Sequence, residues 1–186
     1  TKKVVNGETT EYYILDGTLL GMSGKVDSLP YTLVFRFDEG GNAIGFQLTV
    51  SGYGTQAYWY QGKLQGDVIG LYNGSGTLIG RYTYDAWGKL LNTTSTSTLA
   101  GYVMNLNPIR YRGYMYDTET GLYYCQSRYY DPEVGRFLNA DGIFAEINLF
   151  RYCRNCPTMF NDPSGYVTEE EYIRASAYHS SAVNEY

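Results

Sequence analysis

The feature that most constrains this chain is a short unit recurring along it: an aromatic strand end, an Asp or Asn, two or three residues, then Gly. Copies run over 35–42, 70–77, 81–89, 114–121 and 128–135. The physics of the unit is local. An aromatic residue fits a pleated, half-buried surface. The Asp or Asn can fold its side chain onto the backbone two residues on and start a turn. The Gly that follows supplies the positive φ that a hairpin turn or bulge often requires. Strand-like sequence resumes after each unit, as in Thr77-Leu78-Ile79-Gly80-Arg81-Tyr82 and Lys89-Leu90-Leu91. Period-two alternation in Leu33-Val34-Phe35-Arg36-Phe37 and Arg81-Tyr82-Thr83-Tyr84 predicts that Arg36 and Thr83 face away from the aromatics. Asp38, Asp85, Asp117 and Asp131 are therefore expected to be turn formers and not catalysts. The polar tract 93–98 is predicted to be an exposed loop of the same sheet, because the repeat resumes beyond it.

Composition agrees. Tyr and Gly each occur 22 times, aromatics make up 17% and charged residues only 18%, which suits a folded, strand-rich object with many tight turns. The net charge of −5, with no basic stripe, argues against nucleic acid as a partner, since phosphate neutralisation needs clustered Lys and Arg. No apolar run approaches the roughly 20 residues of a membrane span. Thr1-Lys2-Lys3 runs straight into strand-like sequence without a secretory signal, and reads as the middle of a repeat in something longer. Three cysteines do not make a disulfide framework. Cys153-Arg154-Asn155-Cys156 has metal-ligand or redox spacing, yet a zinc site takes about four ligands and only Cys125 and His179 remain. Small buried side chains are the simpler reading, and neither metal nor cofactor is expected.

From about Gly135 the pattern changes. The stretch 142–152 loses the two-residue period and predicts a short helix ended by Pro157. Thr168 with Glu171 forms a capping box that predicts a second helix of different character.

Several segments together resemble a known family. Residues 65–72 with Tyr84-Asp85-Ala86-Trp87-Gly88-Lys89-Leu90 look like tandem YD repeats. Tyr111-Arg112-Gly113-Tyr114-Met115-Tyr116-Asp117, Ser127-Arg128-Tyr129-Tyr130-Asp131-Pro132, Gly135-Arg136-Phe137-Leu138, Asn148-Leu149-Phe150-Arg151-Tyr152-Cys153 and Asn161-Asp162-Pro163-Ser164-Gly165 resemble the RHS-repeat-associated core. The resemblance implies a mostly β fold: antiparallel YD-repeat strands forming part of a spiralling β-shell, with a short helical plug segment and a C-terminal helix. It also implies a bacterial polymorphic toxin or wall-associated protein, secreted or held at the cell surface as part of a larger chain. Residues 1–134 would be YD-repeat sheet, 135–166 the core plug, and 167–186 the start of a variable region. The partners implied are the chain's own C-terminal toxin region and preceding YD repeats. Open sheet edges would add self-association.

In many members of that family the core cuts its own chain with aspartates. Carried onto this sequence, the pair is Asp141 and Asp162, the cut falls between Tyr166 and Val167, and Arg136 is a candidate to orient the carboxylates. Of two close carboxylates, one stays protonated as acid while the other activates water. Two positions depart from the family pattern: Tyr166 stands where Leu is usual, and Asp141-Gly142 where Asp-Pro is common. Plain turns beside Gly142 and Pro163 are an alternative use for both aspartates. Two other functions stay open, a structural shell module without chemistry and a carbohydrate- or cell-surface-binding module using exposed aromatics such as Trp59 and Trp87. An enzyme acting on a separate substrate is poorly supported, because the lone His179 has no triad around it.

Overall fold

The computed structural model describes residues 1–142, 148–162 and 165–166. Nine antiparallel strands form one sheet in strict chain order. They are β1 (Lys2–Val5), β2 (Glu8–Leu15), β3 (Thr18–Val26), β4 (Leu29–Phe37), β5 (Ala43–Val50), β6 (Gly54–Gly62), β7 (Val68–Asn73), β8 (Leu78–Tyr84) and β9 (Leu90–Ser95). Helix α1 (Thr98–Leu106) follows. A second sheet of four antiparallel strands then comprises β10 (Met115–Tyr116), β11 (Tyr123–Cys125), β12 (Arg128–Asp131) and β13 (Arg136–Phe137). The mostly β expectation is met.

The repeated unit behaves as its chemistry predicts. Asp85 Oδ1 accepts from the Trp87 and Lys89 amides at 2.8 and 2.9 Å. Asn73 Oδ1 accepts likewise from Ser75 and Thr77 at 3.1 and 2.9 Å, and Asp38 Oδ1 from Asn42 at 2.8 Å. These bonds hold the Asp38 carboxyl below its ordinary range, the Asn42 side chain contributing most. Each of these three units carries a register shift just before the Asp or Asn. In the 73–77 hairpin the Gly76 amide donates back to the Asn73 carbonyl and Gly76 has φ 78°. That is a type I turn closed by a left-handed glycine. In the second sheet the unit is one residue longer: the Gly121 and Gly135 amides reach back four residues, to Asp117 and Asp131.

The nine-stranded sheet buries one face. Leu33, Phe35, Phe46, Leu48, Tyr58, Leu71 and Tyr82 line it, while Val34 is 49% exposed on the other face. Arg36 and Thr83 are exposed, as the alternation requires. Helix α1 covers part of this face with Ala100, Val103 and Met104. Burial of each larger side chain contributes about 1.5–3 kcal/mol. The tract 93–98 is not a loop. Thr93 and Thr94 continue β9 against β8, as in Tyr82 opposite Thr93, because β-branched residues suit an edge strand, and Thr98 opens α1. Ser97 then caps α1, its Oγ accepting from the Ala100 amide at 3.1 Å.

The helix predicted over 142–152 is not seen in its described part. Arg151 instead bridges to Arg136 in an antiparallel pair, and the Arg151 amide donates to the Asn148 carbonyl in a turn. Residues 143–147, and the helix expected from Thr168, lie outside the described residues. Cys153, Arg154 and Asn155 form a left-handed turn with φ of 46°, 55° and 60°. A non-glycine residue in this region costs roughly 1–2 kcal/mol, so packing on both flanks must hold the turn.

The second sheet docks on one turn of the first. Tyr111, Tyr130 and Tyr123 donate their hydroxyls to the successive carbonyls of Ala86, Trp87 and Gly88, at 2.9, 2.7 and 2.8 Å. The Tyr111 ring occupies the space a Cβ of Gly88 would need, 2.4 Å from its ideal position. Gly88→Ala combines a left-handed φ of 88° with that overlap. It is expected to lose ~3 kcal/mol or more, from about 1–2 of backbone strain and about 1–3 of overpacking. Gly76→Ala has open space around it and is expected to lose only about 1–2 kcal/mol. Urea unfolding of the two variants beside the wild type checks the difference.

Candidate functional site

In β12 burial alternates, so Arg128 and Tyr130 point inward and Tyr129 outward. Arg128 is 4% exposed, and a buried guanidinium must find anions and carbonyls. It finds four partners. Its Nη2 lies 2.9 Å from Asp141 Oδ2 and 3.5 Å from Asp162 Oδ2. Its Nη1 donates to the Leu149 carbonyl at 3.0 Å, and its Nε to the Gly165 carbonyl. The guanidinium carbon sits 3.6 Å from the Phe137 ring centroid. Both aspartates are themselves buried.

The chain reaches this point through short-range geometry. The Asp141 amide donates to Leu149 O at 2.9 Å and the Phe137 amide to Phe150 O at 3.0 Å, which sets Leu149 and Phe150 beside the end of β13. Tyr152 is fully buried, its ring 4.0 Å from that of Tyr130 and 5.6 Å from that of Phe137. The Tyr114 hydroxyl donates to the Asp162 carbonyl at 2.7 Å. Burial pushes the Tyr114 and Tyr152 phenols upward, which keeps them as hydrogen-bond donors and excludes them as bases near neutrality. Gly165 has φ 70°, and an ideal Cβ there would stand 2.2 Å from the Cys125 carbonyl oxygen, so only glycine lets the chain press so close. Its own carbonyl also accepts from Ser127 Oγ at 2.7 Å. Tyr166 follows, 42% exposed.

Asp141 and Asp162, predicted as a pair, are thus brought onto one guanidinium nitrogen. Arg136 is elsewhere. It is exposed on β13, in register with Asp131 and bridged to Arg151. Arg128 holds the place between the carboxylates, and its signal in the sequence was an arginine at an inward strand position. Such a cation between two acids relieves their mutual repulsion and anchors both. Val167, Pro163, Ser164 and His179 lie outside the described residues.

The other candidates resolve as follows. Trp87 is half-buried, packed against Gly135 beside the tyrosine cluster, whereas Trp59 is 39% exposed. The Cys125 thiol is buried and burial pushes it well upward, so it is a poor nucleophile. Among the described residues no group of three or more His, Cys, Asp or Glu could hold a metal, and no helix is long and apolar enough to cross a membrane.

The family model described as Teneurin YD-shell matches residues 32–174. The chain is 36% identical over 172 residues to the tRNA3(Ser)-specific nuclease WapA of Bacillus spizizenii, which covers 89% of this chain and 7% of the relative. It is 40% identical over 84 residues to double-stranded DNA deaminase toxin A of Burkholderia cenocepacia, 44% of this chain and 6% of that one. The chain therefore spans only a small part of the curated relatives it matches. The crystal structure of TcdB2-TccC3 superposes with a TM-score of 0.71 at 22% identity, over 88% of this chain and 8% of that chain, a likeness of fold.

Arg128→Leu leaves two buried carboxylates without their cation and is expected to lose about 3–5 kcal/mol. Adding Asp141→Asn and Asp162→Asn to Arg128→Leu should restore part of that loss, because the buried charge is removed along with its partner. Denaturant unfolding of the single and triple variants measures both.

Proposed function

Because this chain belongs to the teneurin YD-shell family, we propose that it closes a toxin-encapsulating β-shell and cuts its own chain between Tyr166 and Val167 with Asp141 and Asp162. The observation that carries the reading is the convergence of the two buried aspartates on Arg128, beside the tightly held Gly165. One carboxylate takes a proton from water, whose oxygen attacks the Tyr166 carbonyl carbon. The other, starting as the carboxylic acid, gives its proton to the leaving Val167 nitrogen. The C–N bond breaks, giving a Tyr166 carboxyl and a Val167 amine. In this scheme Arg128 positions both acids, and its bond to Gly165 fixes the chain one residue ahead of the cut.

On this reading residues 1–134 are shell wall, 135–166 the plug and 167–186 the start of the released region. The chain is exported as part of a larger protein, with its own toxin region and preceding repeats as partners. Two relatives named for different activities, a tRNA nuclease and a DNA deaminase toxin, match this chain over part of their length. That fits a segment whose work is casing and release, with the toxic activity elsewhere. The edges at β1 and β9 are expected to pair with neighbouring repeats or with a second copy.

A second reading has a specific observation in its favour. Arg128 with Asp141 and Asp162 is also a complete structural clamp, sufficient to seat a plug that performs no chemistry. Intact mass of freshly purified wild type and Asp162→Asn separates the two. A break between Tyr166 and Val167 in the wild type alone is the expected result. Full-length mass in both would leave the clamp as the function of the pair.

A further inference from the structure

We propose that Cys153 and Cys156 are a thiol–disulfide pair, closed by a disulfide oxidant and reopened by a thiol, that clasps the turn leading to Asp162. Neither sulfur has a part in the proposed self-cleavage.

The backbone brings the two together. The Cys156 amide donates to the Cys153 carbonyl at 2.8 Å, the closing bond of a four-residue turn, and the Asn155 amide donates to Tyr152 O at 2.9 Å. A turn closed in this way holds its first and fourth Cα atoms less than about 7 Å apart, close to the roughly 4.4–6.8 Å that a disulfide spans. The two central residues, Arg154 and Asn155, both have positive φ although neither is glycine. The surroundings therefore impose the turn. Tyr152 is locked in the aromatic cluster on one flank. On the other flank, Arg112 donates to the Pro157 carbonyl and Gln65 Nε2 to Thr158 O at 3.0 Å. Arg154 lies over the Phe160 ring, 5.0 Å from its centroid. The cysteines are pre-positioned by contacts that involve neither sulfur.

Accessibility assigns the order of events. All three thiols are reduced, with Cys156 partly exposed and Cys153 and Cys125 buried. Cys156, as thiolate, attacks oxidised glutathione, forming a mixed disulfide and releasing one glutathione thiol. Cys153, as thiolate, attacks the Cys156 sulfur and releases the second. The protein loses two hydrogens, one S–S bond forms, and the oxidant is reduced to two thiols. Cys125, buried in β11 with its thiol pushed upward, stays reduced.

Arg154 lies between the two cysteines, so trypsin cuts inside the loop they would close. The full chain is incubated with oxidised glutathione, unfolded with excess alkylating reagent and digested. The expected result is one alkylated cysteine, Cys125, in place of three. The peptide Tyr152–Arg154 stays tethered to the peptide beginning at Asn155 until reductant frees it. The tether forms whether that second peptide ends at Tyr166 or at Arg174, so the result does not depend on self-cleavage. Cys156→Ser should leave two alkylated cysteines and no tether. Three alkylated cysteines in the wild type, a lasting glutathione adduct on Cys156, or a link to Cys125 would each overturn the proposal.

Discussion

The contact on which the rest of the molecule depends is the meeting of three tyrosine hydroxyls with three successive carbonyls of the turn after β8. A tight turn leaves its carbonyls without ladder partners, and a buried phenol needs an acceptor. Each solves the other's problem. Burial keeps the Tyr123 and Tyr130 phenols protonated and donating. Glycine makes the approach feasible on both sides: Gly88 admits the Tyr111 ring, and Gly135 admits the ring of Trp87. The second sheet has its position because the first sheet's Asp85 turn has its shape.

The polar centre follows from that dock. Tyr130 reaches the turn from β12, and strand alternation then points Arg128, two residues earlier, inward as well. A guanidinium forced inside must be surrounded by acceptors, and the irregular segment around it supplies two carboxylates and two carbonyls. Arg110 and Arg112 repeat the device on a smaller scale. Arg110 Nε donates to the Asn107 carbonyl at 3.2 Å beyond the end of α1, and Arg112 donates to Pro157 O. Chain that lacks strand or helix partners for its carbonyls is satisfied by buried arginines instead. One buried guanidinium thus holds both aspartates and the chain at Gly165 in place.

The local chemistry was legible. An Asp or Asn side chain bonding amides two and four residues on involves only chain neighbours, so the turns at 38, 73 and 85 could be read directly, as could the outward aspect of Arg36 and Thr83. The pairing of Asp141 with Asp162 was legible only through resemblance, since turns beside Gly142 and Pro163 would use the same residues. The threonine tract misled because a polar edge strand and an exposed loop share a composition, and Ser97 as a cap shows only once the helix behind it is seen.

What the sequence by itself determined is therefore the strand-and-turn repeat and the aromatic face. The tertiary structure alone decided that Arg128 and not Arg136 meets the aspartates, that α1 covers the sheet, and that Cys153 and Cys156 share one left-handed turn. The physical reason is distance along the chain. Arg128 meets Gly165 across 37 residues and Tyr123 meets Gly88 across 35. Alternation tells which side of a strand a residue faces, but what waits on that side is set by how two sheets dock.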